Sequence, residues 1–127
     1  MSAGRNYQAV LDTEPSAVGS TRRAVARLLG GADEDVVDRV LLCTSELVTN
    51  ALEHGGPPVE VRAFVSDGLV RVEVSDGSEH RPHVQHPGPD STRGRGLLIV
   101  ERCADRWGIV ERGEVKTVWC EIAGAAV

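Results

Sequence analysis

Asp35-Val-Val-Asp-Arg-Val-Leu-Leu-Cys-Thr-Ser-Glu-Leu-Val-Thr-Asn-Ala-Leu-Glu-His54, followed by Gly55-Gly56-Pro57-Pro58, is the stretch on which the reading of the chain turns. Its apolar residues recur as Val36/Val37, Val40/Leu41, Leu47/Val48 and Ala51/Leu52, the spacing of an amphipathic helix with one wide buried stripe. Asp33 or Asp35 suits the N-cap, Gly55 suits a left-handed turn at the end, and Pro57 prevents the helix from resuming. Glu46, Asn50 and Glu53 lie outside the stripe, with His54 at its margin. Glu46 and Asn50 are four apart, so their side chains stand one above the other on one face. A carboxylate and a carboxamide so placed offer hard oxygens that hold a hydrated Mg²⁺ or orient a water. A helix face that simply meets solvent shows the same pattern, so the residues around this stretch must decide.

Downstream, Val59-Glu-Val-Arg-Ala-Phe-Val65 and Leu69-Val-Arg-Val-Glu-Val-Ser75 alternate apolar and polar residues about the turn Ser66-Asp67-Gly68. That is a hairpin with one wet face, and Val70, Val72 and Val74 point inward. The second strand runs into Asp76-Gly77-Ser78. Residues 79–93 then hold Pro82, Pro87, Pro89 and three histidines (His80, His83 and His86) with almost no apolar residue. A loop of that length in a compact domain is usually functional, and we read residues 77–95 as a lid. Thr92-Arg93-Gly94-Arg95-Gly96 opens a third helix, Leu97 to Trp107. Gly108 to Arg112 reads as a strand, Gly113-Glu114 as a turn, and Val115 to Ile122 as a strand with Val118, Cys120 and Ile122 inward.

Upstream, Tyr7 to Leu11 reads as a short strand. Thr13-Glu14-Pro15-Ser16 starts a helix, with Thr13 as cap and Pro15 in the first turn, that stops at Gly30-Gly31. Its buried side is Val18, Val25, Leu28 and Leu29; Arg22, Arg23 and Arg27 make a basic patch on the rest. The order strand, helix, helix, hairpin, loop, helix, hairpin predicts an α+β two-layer sandwich. A mostly antiparallel mixed sheet is covered on one face by three helices.

Composition narrows the function classes. The chain has 127 residues, 41% of them apolar and only 3% aromatic, so its core is built from Val, Leu, Ile and Ala. That length is one domain, residues 1–127. A net charge of −5 without a basic stripe argues against direct nucleic-acid binding. No apolar run spans a membrane, and no signal-peptide core follows Met1, so a cytoplasmic location is expected. Cys43, Cys103 and Cys120 form no Cys-x-x-Cys and read as reduced core thiols.

Three short motifs carry chemistry. Asp76-Gly77 at a strand end lets a carboxylate receive an exocyclic amine while the backbone comes close. Gly94-x-Gly96 at a helix N-terminus exposes backbone N–H groups to an anion, flanked by Arg93 and Arg95, which suit phosphate oxygens. The three histidines at spacings of three allow a metal, but Pro82 interrupts them and no Cys or carboxylate stands at ligand spacing.

Taken in order, Glu46-Leu-Val-Thr-Asn50-Ala-Leu-Glu-His54-Gly55, Asp76-Gly77-Ser78 and Arg93-Gly94-Arg95-Gly96-Leu97 resemble the N box and the two glycine boxes of the GHKL superfamily. These are the gyrase, chaperone, histidine-kinase and mismatch-repair ATPases, which share the Bergerat-type ATP-binding fold. The resemblance covers nearly the whole chain, and within the superfamily the sequence is most similar to the small bacterial anti-sigma-factor serine/threonine kinases. A sensor kinase is expected to bring a dimerisation helix with a phosphoacceptor His, for which this length leaves no room.

The resemblance implies ATP and Mg²⁺ as cofactors. It gives Asn50 to the Mg²⁺ and makes Glu46 the general base that takes a proton from a partner's serine. Asp76, beside Gly77, receives the adenine amine. Gly94 and Gly96, with Arg93, Arg95 and Leu97, lie at the phosphates. Thr117 supplies a hydroxyl near the nucleotide. Arg22 lies on the surface that holds a sigma factor; the other partner implied is an anti-sigma-factor antagonist, and the family suggests a homodimer. In place of the second glycine of Asp-x-Gly-x-Gly stand Ser78 and Glu79. A binding module without catalysis, working by sequestration, therefore stays open beside the kinase, as does an interaction domain without nucleotide.

Overall fold

Alternation and helical spacing build a sheet and three helices that share one core. The computed structural model describes residues 4–77 and 92–125, with side chains in the second span from Leu97 onward. The elements in chain order are β1 (Arg5–Leu11), α1 (Ser16–Leu28), α2 (Glu34–His54), β2 (Gly56–Ser66), β3 (Leu69–Gly77), α3 (Thr92–Cys103), β4 (Arg106–Arg112) and β5 (Val115–Ala123). The strands form one five-stranded sheet in the order β1-β2-β3-β5-β4. Every pairing is antiparallel. The helices cover one face, which is the α+β sandwich that the sequence predicts. No helix among the described residues is long and apolar enough to cross a membrane.

The core lies between the helices and that face of the sheet. Val59, Val61, Ala63 and Val65 of β2, Val70, Val72 and Val74 of β3, and Val118, Cys120 and Ile122 of β5 are all buried there. From α2 they meet Val36, Val40, Cys43, Leu47, Val48 and Ala51, the stripe read from the sequence, and from α1 Val25 and Leu29. Each such side chain contributes on the order of 1.5–3 kcal/mol by leaving water. The hairpin turn has Asp67 at φ 52° and Gly68 at φ 79°. Positive φ at both central residues matches the strands' own twist, and Asp-Gly is suited to it.

Three local expectations are corrected. Pro15, not Thr13, occupies the N-cap of α1, without a side-chain hydrogen bond. Gly55 is extended, at φ −97° and ψ 175°, and not left-handed, because α2 passes directly into β2 at Gly56. The third helix ends at Cys103, and Trp107 lies in β4 opposite Cys120. The reason is capture by the sheet. The Asp105 N–H donates to the Glu121 carbonyl (2.9 Å). The Asp105 carboxylate accepts from the Ala123 N–H (2.8 Å) and from Arg39 Nη2 (3.0 Å). These bonds take the chain out of helix before the apolar spacing runs out.

The other face of the sheet is polar. Glu73 accepts from Arg62 Nε (3.0 Å) and Arg71 Nε (2.7 Å), and Arg71 Nη1 also donates to Glu121 (2.7 Å). The Arg71 guanidinium stacks over Trp119, 4.2 Å from the ring centroid. A side chain at Gly108 would meet that ring at 2.9 Å, so only glycine fits beneath it. Burial alone would raise the Glu73 carboxyl, but the hydrogen bonds from Arg71 and Arg62 outweigh it and hold the group below its ordinary range. A carboxyl with a lowered folded pKa contributes stability above its unfolded value and loses it as pH falls through the folded one. Glu73→Gln is therefore expected to cost about 1–2 kcal/mol at neutral pH. The difference from wild type in urea unfolding should close as the pH falls below the ordinary glutamate range.

Candidate functional site

The end of α2 and the end of β3 meet, and the candidates Asn50, Asp76 and Gly77 stand there. On α2, seating the apolar stripe against the sheet turns Asn50 inward as well: it is 5% exposed, and its Oδ1 is buried without a hydrogen-bond partner. An orphaned carboxamide oxygen costs stability unless something absent from the free chain accepts it as a ligand. One turn earlier, Glu46 is half-buried. Burial first, and then the negative charge of Glu53, raise its carboxyl above the ordinary range. A carboxylate so raised is a better proton acceptor near neutral pH than an exposed one.

Five residues beyond Asn50 the helix ends on Gly55. A Cβ there would lie 2.3 Å from the Asp76 Cγ, so the backbone of Gly55 rests against that carboxyl. Gly77 is equally confined: a Cβ would meet the Pro57 carbonyl oxygen at 2.9 Å. Asp76 itself is 2% exposed and lies on the helix-facing side of β3, continuing the column Val70, Val72, Val74. Directly opposite it in β5 is Lys116, 1% exposed, with Nζ 3.8 Å from Asp76 Oδ2.

α3 begins at Thr92, so Arg93, Gly94, Arg95 and Gly96 lie in its first turns, while Leu97 packs against the core. Its far end is fixed by Arg39 Nε, which donates to the Cys103 carbonyl at 2.9 Å. Only five residues of α2 precede Arg39. Packing of α3 along α2 therefore carries its start toward Asn50. The N-terminal dipole and glycines of α3 thus approach the same end of the molecule as Asn50, Gly55 and Asp76.

Two candidates are not brought into this group. Thr117 lies on the opposite face of the sheet, where its hydroxyl meets that of Ser75 at 2.8 Å. It lines a cleft of about 330 Å³ with Arg71, Glu73 and Trp119. Strand alternation forces this, because Lys116 takes the inward place. Arg22 donates from Nη1 to Ser45 Oγ (2.6 Å) and to the Leu41 carbonyl (3.3 Å), which ties it to the flank of α2. Ser78, His80, His83, His86 and the rest of the lid up to residue 91 lie outside the described residues.

Lys116 is a residue of this junction that sequence reading did not single out. The signal was present: stepping back by two from Ile122, Cys120 and Val118 lands on the chain's only lysine, opposite Asp76. The residues fit the cofactors that the motifs imply. Asn50 Oδ1 is a hard oxygen that suits Mg²⁺, and Asp76 is an acceptor at the end of a buried strand. Magnesium, when bound with ATP, supplies neutralisation of phosphate charge.

Comparison with known proteins agrees. The family model of the histidine kinase-like ATPase domain matches residues 11–121. An uncharacterized protein of Streptomyces coelicolor is 37% identical over 86 residues, which are 63% of this chain and 81% of that protein. The structure containing the RsbU and RsbW domains of a Mycobacterium tuberculosis protein superposes with a TM-score of 0.73 at 23% identity, covering 94% of this chain and 32% of that one. The histidine kinase domain of a blue-light-activated kinase from Erythrobacter litoralis gives 0.56 at 23% identity, covering 87% and 61%. This chain thus spans about a third of the first and three fifths of the second. At that identity the two structures speak for the fold, and the family model for the lineage: the chain belongs to the histidine kinase-like ATPase domain family.

Proposed function

We propose that the chain binds ATP with Mg²⁺ and transfers the γ-phosphoryl group to a serine or threonine of an antagonist protein, while also sequestering a sigma factor. The observation that carries this is Asn50, buried with its Oδ1 unpartnered one helical turn from Glu46, whose carboxyl is raised. In this reading Asn50 holds the metal. Glu46 takes the proton of the attacking hydroxyl as its oxygen bonds to phosphorus and the bond to ADP breaks. Asp76 receives the base, and the first turns of α3 meet the phosphates. Phosphoryl transfer needs little beyond positioning and charge neutralisation, which such a set supplies. The family resemblance, which also suggests a homodimer, names the partners. Arg22 and its neighbours on α1 form the surface offered to the sigma factor.

One observation favours a second reading, in which the domain binds its regulator without catalysis. Ser78 and Glu79 follow Gly77, and the usual second glycine of the family does not come.

Two experiments test the proposal. In calorimetric titration ATP should bind in a Mg²⁺-dependent way, and Asn50→Ala should weaken binding at least tenfold, the loss of one charge-assisted contact. Unchanged binding in that variant would remove Asn50 from the site. The second experiment concerns Glu46. Its raised carboxyl places the acid limb of the transfer rate above the ordinary glutamate range, and Glu53→Gln should move that limb down. A group with a raised folded pKa loses stability as pH rises through that value. Glu46→Gln should therefore melt slightly higher than wild type at neutral pH while losing transfer by a hundredfold or more. Transfer that survives in Glu46→Gln would remove Glu46 as the general base, whereas no transfer from the wild-type protein to any antagonist protein would favour the second reading.

A further inference from the structure

Lys116 has no place in the function proposed so far, and its position is costly. Its side chain is 2% exposed and that of Asp76 1%, with the two charges 3.8 Å apart at the end of otherwise apolar columns. A buried ion pair at best roughly offsets the loss of hydration, and apolar residues of similar volume often serve stability as well or better. Val118, Cys120 and Ile122 show what this face of β5 otherwise carries. Packing therefore does not account for a lysine here. Its register does point to a use: it faces the carboxylate that, in the reading above, selects the base.

Asp76 alone presents acceptors. Asp76 and Lys116 together present an acceptor and a donor side by side, both fixed by strand register and both screened from water. An ammonium carries three donors and a carboxylate several lone pairs, so the two groups can pair with each other and each also meet a ligand. The Watson–Crick edge of adenine offers the complement, with its amino group a donor and N1 an acceptor next to it. Guanine in the same orientation offers the reverse, with O6 an acceptor and N1–H a donor, so that both groups of the pair would face their own kind. Only a base turned end for end would match, which displaces the sugar and phosphates from α3.

We propose that Lys116 is a specificity-determining residue of this site, donating from Nζ to N1 of adenine while Asp76 accepts from the amino group. The pair rejects guanine at two points instead of one. This rests on the reading that the site binds ATP, and it extends that reading to a residue on β5.

The test compares Mg²⁺-loaded ATP, GTP and 1-deaza-ATP, in which C–H replaces N1 and the amino group stays, by calorimetric titration of the wild-type protein. The expected result is binding of ATP, about tenfold weaker binding of 1-deaza-ATP, and no measurable GTP binding at the same concentrations. Lys116→Met, which keeps length without charge, should bind ATP and 1-deaza-ATP alike and should narrow the gap to GTP. Equal affinity of the wild-type protein for ATP and 1-deaza-ATP would overturn the role of Lys116 and leave the nucleotide site standing. No ATP binding at all would overturn both. The comparison within the wild-type protein decides the question even if Lys116→Met, which leaves Asp76 buried beside a neutral side chain, fails to fold.

Discussion

The backbone of Gly55 and the carboxyl of Asp76 share a space that admits no side chain between them. That contact ties the residue that caps α2 to the end of β3, and Gly56 pairs with Gly77 immediately beside it. The two glycines are needed because three segments converge: a helix terminus, the first residues of a strand and the last residues of its neighbour. The register of β2 slips between Gly56 and Glu60, where Pro57 and Pro58 have no N–H to donate. The local irregularity lets the chain leave the helix and enter the sheet without an intervening loop. Asn50, a turn and a half before Gly55, is carried into the interior by this arrangement and not by any preference of its own.

The two faces of the sheet divide the labour. The helix-covered face holds the apolar core and, at one end of it, the polar group formed by Asn50, Asp76 and Lys116. On the other face Arg62, Arg71, Glu73 and Glu121 satisfy one another beside Trp119. Groups with full sets of partners hold the fold in one conformation. Groups without them, such as Asn50 Oδ1, carry a cost in the free chain that a ligand can relieve. The contrast between the faces is what makes one of them the candidate site.

Elements whose period is set by burial on one side were legible in the sequence. The stripe of α2, the hairpin of β2 and β3 with its Asp67-Gly68 turn, and the inward triplet of β5 all follow from alternation or helical spacing. What was not legible depended on partners distant in sequence. Trp107 continues a helical pattern, and only the bonds from Asp105 to Glu121 and Ala123 show why the helix ends early. Gly55 has the composition of a left-handed cap, yet its real constraint is a carboxyl 21 positions away. Thr117 was named for its hydroxyl, and strand parity sets it on the face opposite Asp76. Glu46, Asn50, Asp76 and Gly77 could be named as candidates because their chemistry is written in local patterns; Lys116 was not named because its partner appears only across a strand pair.

Parity matters more than residue type in such a site. A strand delivers only every second side chain to one face, so β3 gives the helix-covered face Asp76 and withholds Ser75. β5, in register with it, gives Lys116 and withholds Thr117. The withheld hydroxyls bond to each other on the far face. A shift of one residue in β3 would take Asp76 off this face and Val74 out of the core, and the same shift in β5 would do so for Lys116 and Val118. The hydrophobic columns therefore enforce the register that places the charges. The cost of burying Asp76 and Lys116 is met by the apolar residues that precede Asp76 and follow Lys116, in the same strands and on the same face.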